Sequence, residues 1–497
     1  MDVKTLTVLA LSVYVLATLV LTVRGAMQTS SVKSFALGAG AIHPGWIGLS
    51  LTAQLTSVAT FVVNPGLVYA FGVSALMGLG VAAGLGITIG LLAFSGKFRQ
   101  VGSRIAALSI PQWIGTCYQS NFLRVFFAII SLCLATFIVL IAVAICNVLA
   151  NLLGIVEPTG KYALLAAVVV FVFTYTLAGG AATSTYTNAI QASIMLIVAL
   201  ILIGSGIELI NGKPDLFSRL SEMEPKLLEW TNPMSPYFRT WFEVFFCNFL
   251  VGLAIVCQPH ILGKALLIRE ESQMKTYLGV AVMAGSVFLG VMLVGLYAKV
   301  VLPPMARIDL VVPAYITQVF SSWTQVIIGI GMLCAGISTL EGILLALSVI
   351  FSNDIFPFLV KRQEGEPEED YSKKALMFGR TCLVFLGLIS IWMAIEQMRN
   401  PTGGSVAIFA QYGVYLLFTA SFLPLACGMF LPQVKRMAVT AGTVSAVIGY
   451  AVPHFFKISM YNNNPAFLAT CGILLSWIVM IGVHKLSPGQ NNAEQAG

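Results

Sequence analysis

The chain has 497 residues, of which 58% are hydrophobic and only 9% charged, against about 25% charged in soluble domains. With a mean hydropathy of +0.91, this excludes an ordinary soluble protein and predicts an all-α polytopic membrane protein embedded in a lipid bilayer. The formal net charge of +7 is read as basic inner loops rather than a nucleic-acid surface.

The first apolar run, Leu6 to Val23, is long enough to span and weakly basic at its flank, so it reads as a retained first helix and not a leader. Thirteen candidate spans follow the apolar runs, near 5–23, 43–71, 73–96, 123–154, 161–179, 185–211, 238–262, 276–302, 318–352, 376–396, 404–432, 437–455 and 464–484. The second, SLTAQLTSVATFVVNPGLVYAFG, carries Gln54, Thr56, Ser57, Asn64 and Pro65-Gly66, and a helix is expected to open near Asn64. The seventh is interrupted at Gln258-Pro259-His260. Two interrupted helices in matching places suit a secondary transporter built from two inverted units, 43–211 and 238–432, within one transmembrane domain of 1–485. Residues 486–497 read as a disordered cytoplasmic tail, and the acidic run EGEPEED in 353–375 as a solvated loop. With the N-terminus outside and the C-terminus inside, most of the 27 Lys and Arg, Lys264 among them, fall on the inner side. Glu243 and Asp354 fall at the ends of spans, at the membrane interface.

Span nine, CAGISTLEGILLALSVIFSNDIF, offers the Ala335 carbonyl and the Ser338 and Thr339 hydroxyls to one point. Oxygen donors of this kind suit a hard cation such as Na⁺. Alone, a Ser-Thr pair more often bonds its own preceding turn. Glu341, three residues on, is an intramembrane carboxylate. It either tunes the cation site, binds a cationic solute group, takes a proton, or is a neutral or paired structural group. The nine cysteines form no CxxC or Cys/His cluster, so no metal centre or disulfide framework is implied.

In order and spacing, SLTAQLTSVATFVVNPGLVYAFG, LAGGAATSTYTNAIQASIMLI, QPHILGKAL and AGISTLEGILLALSVIFSNDIF resemble the sodium:solute symporter family over about residues 5–485. The resemblance implies the leucine-transporter-type 5+5 inverted repeat with discontinuous helices. It implies a Na⁺ site from Ala53, Thr56, Ala335, Ser338 and Thr339, with Na⁺ as coupling ion and no other cofactor. Many members carry Thr-Asp with Gln three residues on; here the order is Thr187, Asn188, Gln191, which points to one Na⁺ per cycle.

Solute contacts are expected between the two breaks, from Gln54, Asn64, Gln258, His260 and Gln411. No Lys or Arg other than Lys264 lies near the breaks, so a small monocarboxylate or zwitterionic amino acid fits better than a polyanion. The expectation is a Na⁺-coupled symporter in the plasma membrane, with neither nucleic acid nor an obligatory protein partner. A channel or a non-transporting sensor of the same fold is the alternative; no nucleophile-base pair suggests an enzyme.

Overall fold

The computed structural model describes residues 2–27, 31–38, 42–400, 406–459, 461 and 463–486. Apolar runs become helices wherever proline, glycine or a polar cap does not stop them, because backbone groups in lipid must bond within their own segment. The principal helices are α1 (Val3–Ala26), α2 (Pro44–Leu55), α3 (Ala59–Phe71), α4 (Val73–Arg104), α5 (Asn121–Leu153), α6 (Pro158–Gly204) and α7 (Phe242–Ile255). They continue with α8 (Pro259–Leu267), α9 (Glu271–Val301), α10 (Ser322–Leu359), α11 (Glu368–Arg399), α12 (Val406–Phe430), α13 (Arg436–Phe455) and α14 (Pro465–Leu486). No strand occurs among the described residues.

Among the described residues, ten helices are long and apolar enough to cross a membrane, or twelve if the bent pairs α2/α3 and α7/α8 each count as one span. Both pairs bend by 54°. The run α6 holds two expected spans, which meet at Gly180 (φ 70°, ψ −173°), a conformation that glycine adopts without a Cβ penalty. Leu486 still belongs to α14, and the rest of the expected tail lies outside the described residues.

The first break falls earlier than the sequence suggests. The chain leaves the helix at Thr56 (φ −92°, ψ 78°), and Ser57 Oγ accepts the Ala59 N–H at 3.2 Å. Residues Ala59–Val63 then form a π-helical turn and an α-helix resumes at Asn64, with Pro65 in its first turn. Pro65 follows this π-helical turn inside the continuous α3, so the helix runs through it and Pro65 does not open the chain. Gly66 serves close packing instead: a Cβ there would lie 2.2 Å from the Ile308 carbonyl oxygen. The second break does fall where expected, at an extended Gln258 (φ −73°, ψ 144°) followed by Pro259 in the first turn of α8.

The acidic run is not simply a loop. Glu368, Glu369 and Asp370 form the first turn of α11, where carboxylates complement the helix dipole, and Lys373 pairs with Glu369 at 2.8 Å.

Helix α10 is the axis of the bundle, with 94% of its most apolar stretch buried and α6, α5, α11, α1 and α2 packed around it. Exposed side chains such as Val13, Leu16, Ile197, Leu200, Phe385 and Trp392 make the outer faces apolar, as a lipid-facing perimeter requires.

Candidate functional site: a buried oxygen cluster and an uncharged cavity

Because α2 stops at Leu55, its last carbonyls have no intrahelical partner and carry the negative end of the helix dipole. Hydroxyls from the centre of α10 meet them. Ser338 Oγ donates toward Ala53 O (2.9 Å) and Ala335 O (3.1 Å). Thr339 Oγ1 lies 3.1 Å from Gln54 O, 3.2 Å from Ala335 O and 3.4 Å from Ala53 O. Each hydroxyl has one proton for two or three acceptors, so the cluster is rich in lone pairs. Five oxygens from two helices thus converge with no positive charge among them. Ala53, Ala335, Ser338 and Thr339 are brought into hydrogen-bonding contact. Thr56, the fifth expected residue, caps the end of α2 and lines the adjoining cavity.

That cavity has a volume of about 190 Å³ and lies between the two breaks. Thr52, Ser57, Thr60, Asn64, Asn248, Gln258 and Gln411 contribute polar groups to its wall, and Phe288, Met292 and Tyr415 apolar ones. Among the described residues, no Asp, Glu, Lys or Arg lines it. Gln258 Nε2 donates to Ile255 O (3.1 Å), while its Oε1 is buried without a protein partner. Of the expected solute contacts, Asn64, Gln258 and Gln411 share this wall.

Gln54 and His260 do not. They line a second cavity of about 60 Å³, together with Lys264, Ser109, Ala181 and Gly342, which has no lining residue in common with the first. Local bonding turns Gln54 away from the central cavity. Its amide is satisfied with nitrogen toward His260 O (2.9 Å) and oxygen toward Asn188 Nδ2 (2.8 Å) and Lys264 Nζ (3.3 Å).

Lys264 is the residue that sequence reasoning missed. Counted among the inner-side charges, it is only 5% exposed, and its ammonium donates to Ser50 Oγ (2.9 Å) and Thr185 Oγ1 (3.5 Å). The available signal was its spacing: four residues after His260, it shares a helix face with that residue. Glu341 is buried nearby, with Thr187 Oγ1 3.0 and 3.1 Å from its two carboxylate oxygens. Asn188 donates to Ser184 Oγ (3.2 Å) and leaves its Oδ1 buried without a partner; Gln191 donates to Tyr14 OH (2.6 Å).

Glu243 and Asp354, expected at the ends of spans, are fully buried within the protein. Arg124 Nε pairs with Asp354 Oδ1 at 2.7 Å, and Ser109 donates to the same carboxylate. Arg239 pairs with Glu243 at 2.8 Å, where Asn464 also donates. Each carboxylate thus bonds a distant segment: Asp354 bonds Arg124 and Ser109, and Glu243 bonds Asn464.

Paired discontinuous helices, an oxygen cluster at their edge and an uncharged cavity between them define a secondary transporter. The chain belongs to the sodium:solute symporter family, whose profile residues 35–446 match. It is accordingly a Na⁺-coupled solute symporter, a multi-pass integral membrane protein and not an enzyme. It is 24% identical to the sodium/pantothenate symporter of Haemophilus influenzae over 357 residues, 70% of each chain. It is 23% identical to that of Escherichia coli over 461 residues, 90% of each. A substrate-bound, outward-open structure of a Na⁺-coupled sialic acid symporter superposes with a TM-score of 0.79 over 98% of both chains, at 15% identity. The fold is thus the leucine-transporter-type arrangement that the sequence motifs imply.

Proposed function

We propose that the chain moves one Na⁺ and one small monocarboxylate, of the pantothenate type, together into the cell by alternating access. Na⁺ binds at Ala53, Thr56, Ala335, Ser338 and Thr339, and the solute binds against Asn64, Gln258 and Gln411. The observation that carries this reading is the convergence of the Ser338 and Thr339 hydroxyls on the carbonyls that end α2, beside a cavity without charged side chains. Amides and hydroxyls there can meet a single carboxylate and further hydroxyl or amide groups, whereas a polyanion would find no counter-charge. The two sodium/pantothenate relatives support a monocarboxylate over a zwitterionic amino acid. The basic residues support N-out, C-in insertion in the plasma membrane. Equal 54° bends in α2/α3 and α7/α8 support two inverted units over 43–211 and 238–432.

Purified protein in proteoliposomes is expected to accumulate radiolabelled pantothenate under an inward Na⁺ gradient and not when choline replaces Na⁺. Because Asn188 supplies no carboxylate for a second ion, the Na⁺ dependence should have a Hill coefficient near one and the flux ratio should be 1:1. Accumulation of amino acids but not of pantothenate would overturn the choice of solute. A ratio of two Na⁺ per solute would overturn the stoichiometry.

A further inference from the structure

Lys264 and Glu341 are buried ionisable groups, 5% and 1% exposed, that neither the Na⁺ cluster nor the central cavity uses. Burying such groups is costly unless each is hydrogen-bonded and their charges balance. Among the described residues neither makes an ion pair of 4 Å or less. Each is instead held by hydroxyls of the same stretch of α6: Lys264 by Thr185, and Glu341 by Thr187, two residues on. Lys264 also reaches α2 through Ser50.

The link to Na⁺ runs through Gln54. Its backbone oxygen accepts from Thr339 Oγ1 in the Na⁺ cluster (3.1 Å), and its side chain bonds Lys264 Nζ (3.3 Å) and His260 O (2.9 Å) on α8. Helix α8 is cut off from α7 by the break at Val256–Gln258. Its position therefore depends on tertiary bonds, and its residues Pro259, His260, Gly263, Lys264 and Leu267 wall the second cavity.

We propose that Lys264 is a positioning residue of the inner gate. Its ammonium, balanced by Glu341, pins α8 to α2 and α6 and, through Gln54, keeps the second cavity closed to the cell interior while Na⁺ is bound. This rests on the Na⁺ site and the orientation proposed above. Losing the ammonium removes charge-assisted hydrogen bonds to three side chains on two helices and leaves α8 without this anchor.

The test is alkylation of Ala346→Cys, a position lining the second cavity, by a thiol reagent applied to the inner face of inside-out vesicles. The parent with its native cysteines is subtracted, and rates are compared in Na⁺ and in choline. Na⁺ should slow labelling roughly tenfold, the equivalent of one charge-assisted bond. With Lys264→Met added, labelling should be fast and equal in both buffers at saturating Na⁺, while radioactive Na⁺ still binds to the same stoichiometry, its half-saturating concentration raised by no more than about tenfold because binding no longer gains from closing the gate. Retained Na⁺ protection in Lys264→Met would overturn the gate. Should Lys264→Met fail to fold, Lys264→Met/Glu341→Gln, in which both charges are absent, is read in the same way. Ser338→Ala/Thr339→Ala should also lose Na⁺ protection. If it keeps protection while Lys264→Met loses it, the Na⁺ site is wrong and the gate stands.

Discussion

Replacing Ser338 and Thr339 together with alanine is expected to raise the Na⁺ concentration for half-maximal uptake by an order of magnitude or more. Both hydroxyls are fully buried and lie within 3.1 Å of carbonyls that end α2. A hydrogen bond or contact to a charged group is worth about 1.5–3 kcal/mol, and about 1.4 kcal/mol is a factor of ten. Either hydroxyl alone thus accounts for a tenfold loss, and the pair for more. Because they also tie α10 to α2, a structural role must be separated from ion binding. Thr339→Ser, which keeps the oxygen and removes only a methyl, should retain near-parental Na⁺ affinity. Solute uptake at an unchanged Na⁺ midpoint in the double alanine variant would refute the assignment.

The second large effect is on stability. Arg124→Met should lower the melting temperature of the purified protein markedly, because Asp354 is fully buried and would keep only the bonds from Ser109 and Asn353. Removing one partner of a buried pair costs about 3–5 kcal/mol, chiefly through the charge left behind. Arg124 also donates to the Asn353 carbonyl (2.6 Å), so it fastens the end of α10 twice. Adding Asp354→Asn to Arg124→Met should recover most of the loss, since it removes the stranded charge but not the lost backbone contact. Thermal melting followed by size exclusion reads both variants. A single variant that melts with the parent would show that the pair is not a clamp.

Much of the fold was legible because lipid enforces a simple rule: an apolar run of about 20 residues must close its own backbone bonds. The second break was legible for a local reason too, a proline directly after a residue forced to be extended. The first was misplaced because proline and glycine are the visible signals, while the actual interruption is a side-chain-to-backbone bond at Ser57. Ser338 and Thr339 stand out as an adjacent hydroxyl pair in the apolar middle of α10. Lys264, Glu243 and Asp354 could not be placed by the same reasoning. Charge near the end of a span reads as interfacial or inner-side, and only bonds to distant segments, such as those with Ser50, Asn464 and Ser109, show that these groups are buried in protein.

The π-helical turn at Ala59–Val63 also fixes which side chains the next segment presents. Such a turn takes one residue more than an α-helical turn, and each residue advances the helix by about 100°. Everything from Asn64 to Phe71 is therefore indexed one step out of phase with an uninterrupted helix. Shortening 59–63 by one residue would restore the phase and swing Asn64 by about 100° off the cavity wall it now lines. The length of this turn thus acts as a reading frame: it sets which side chain of α3 faces the central cavity.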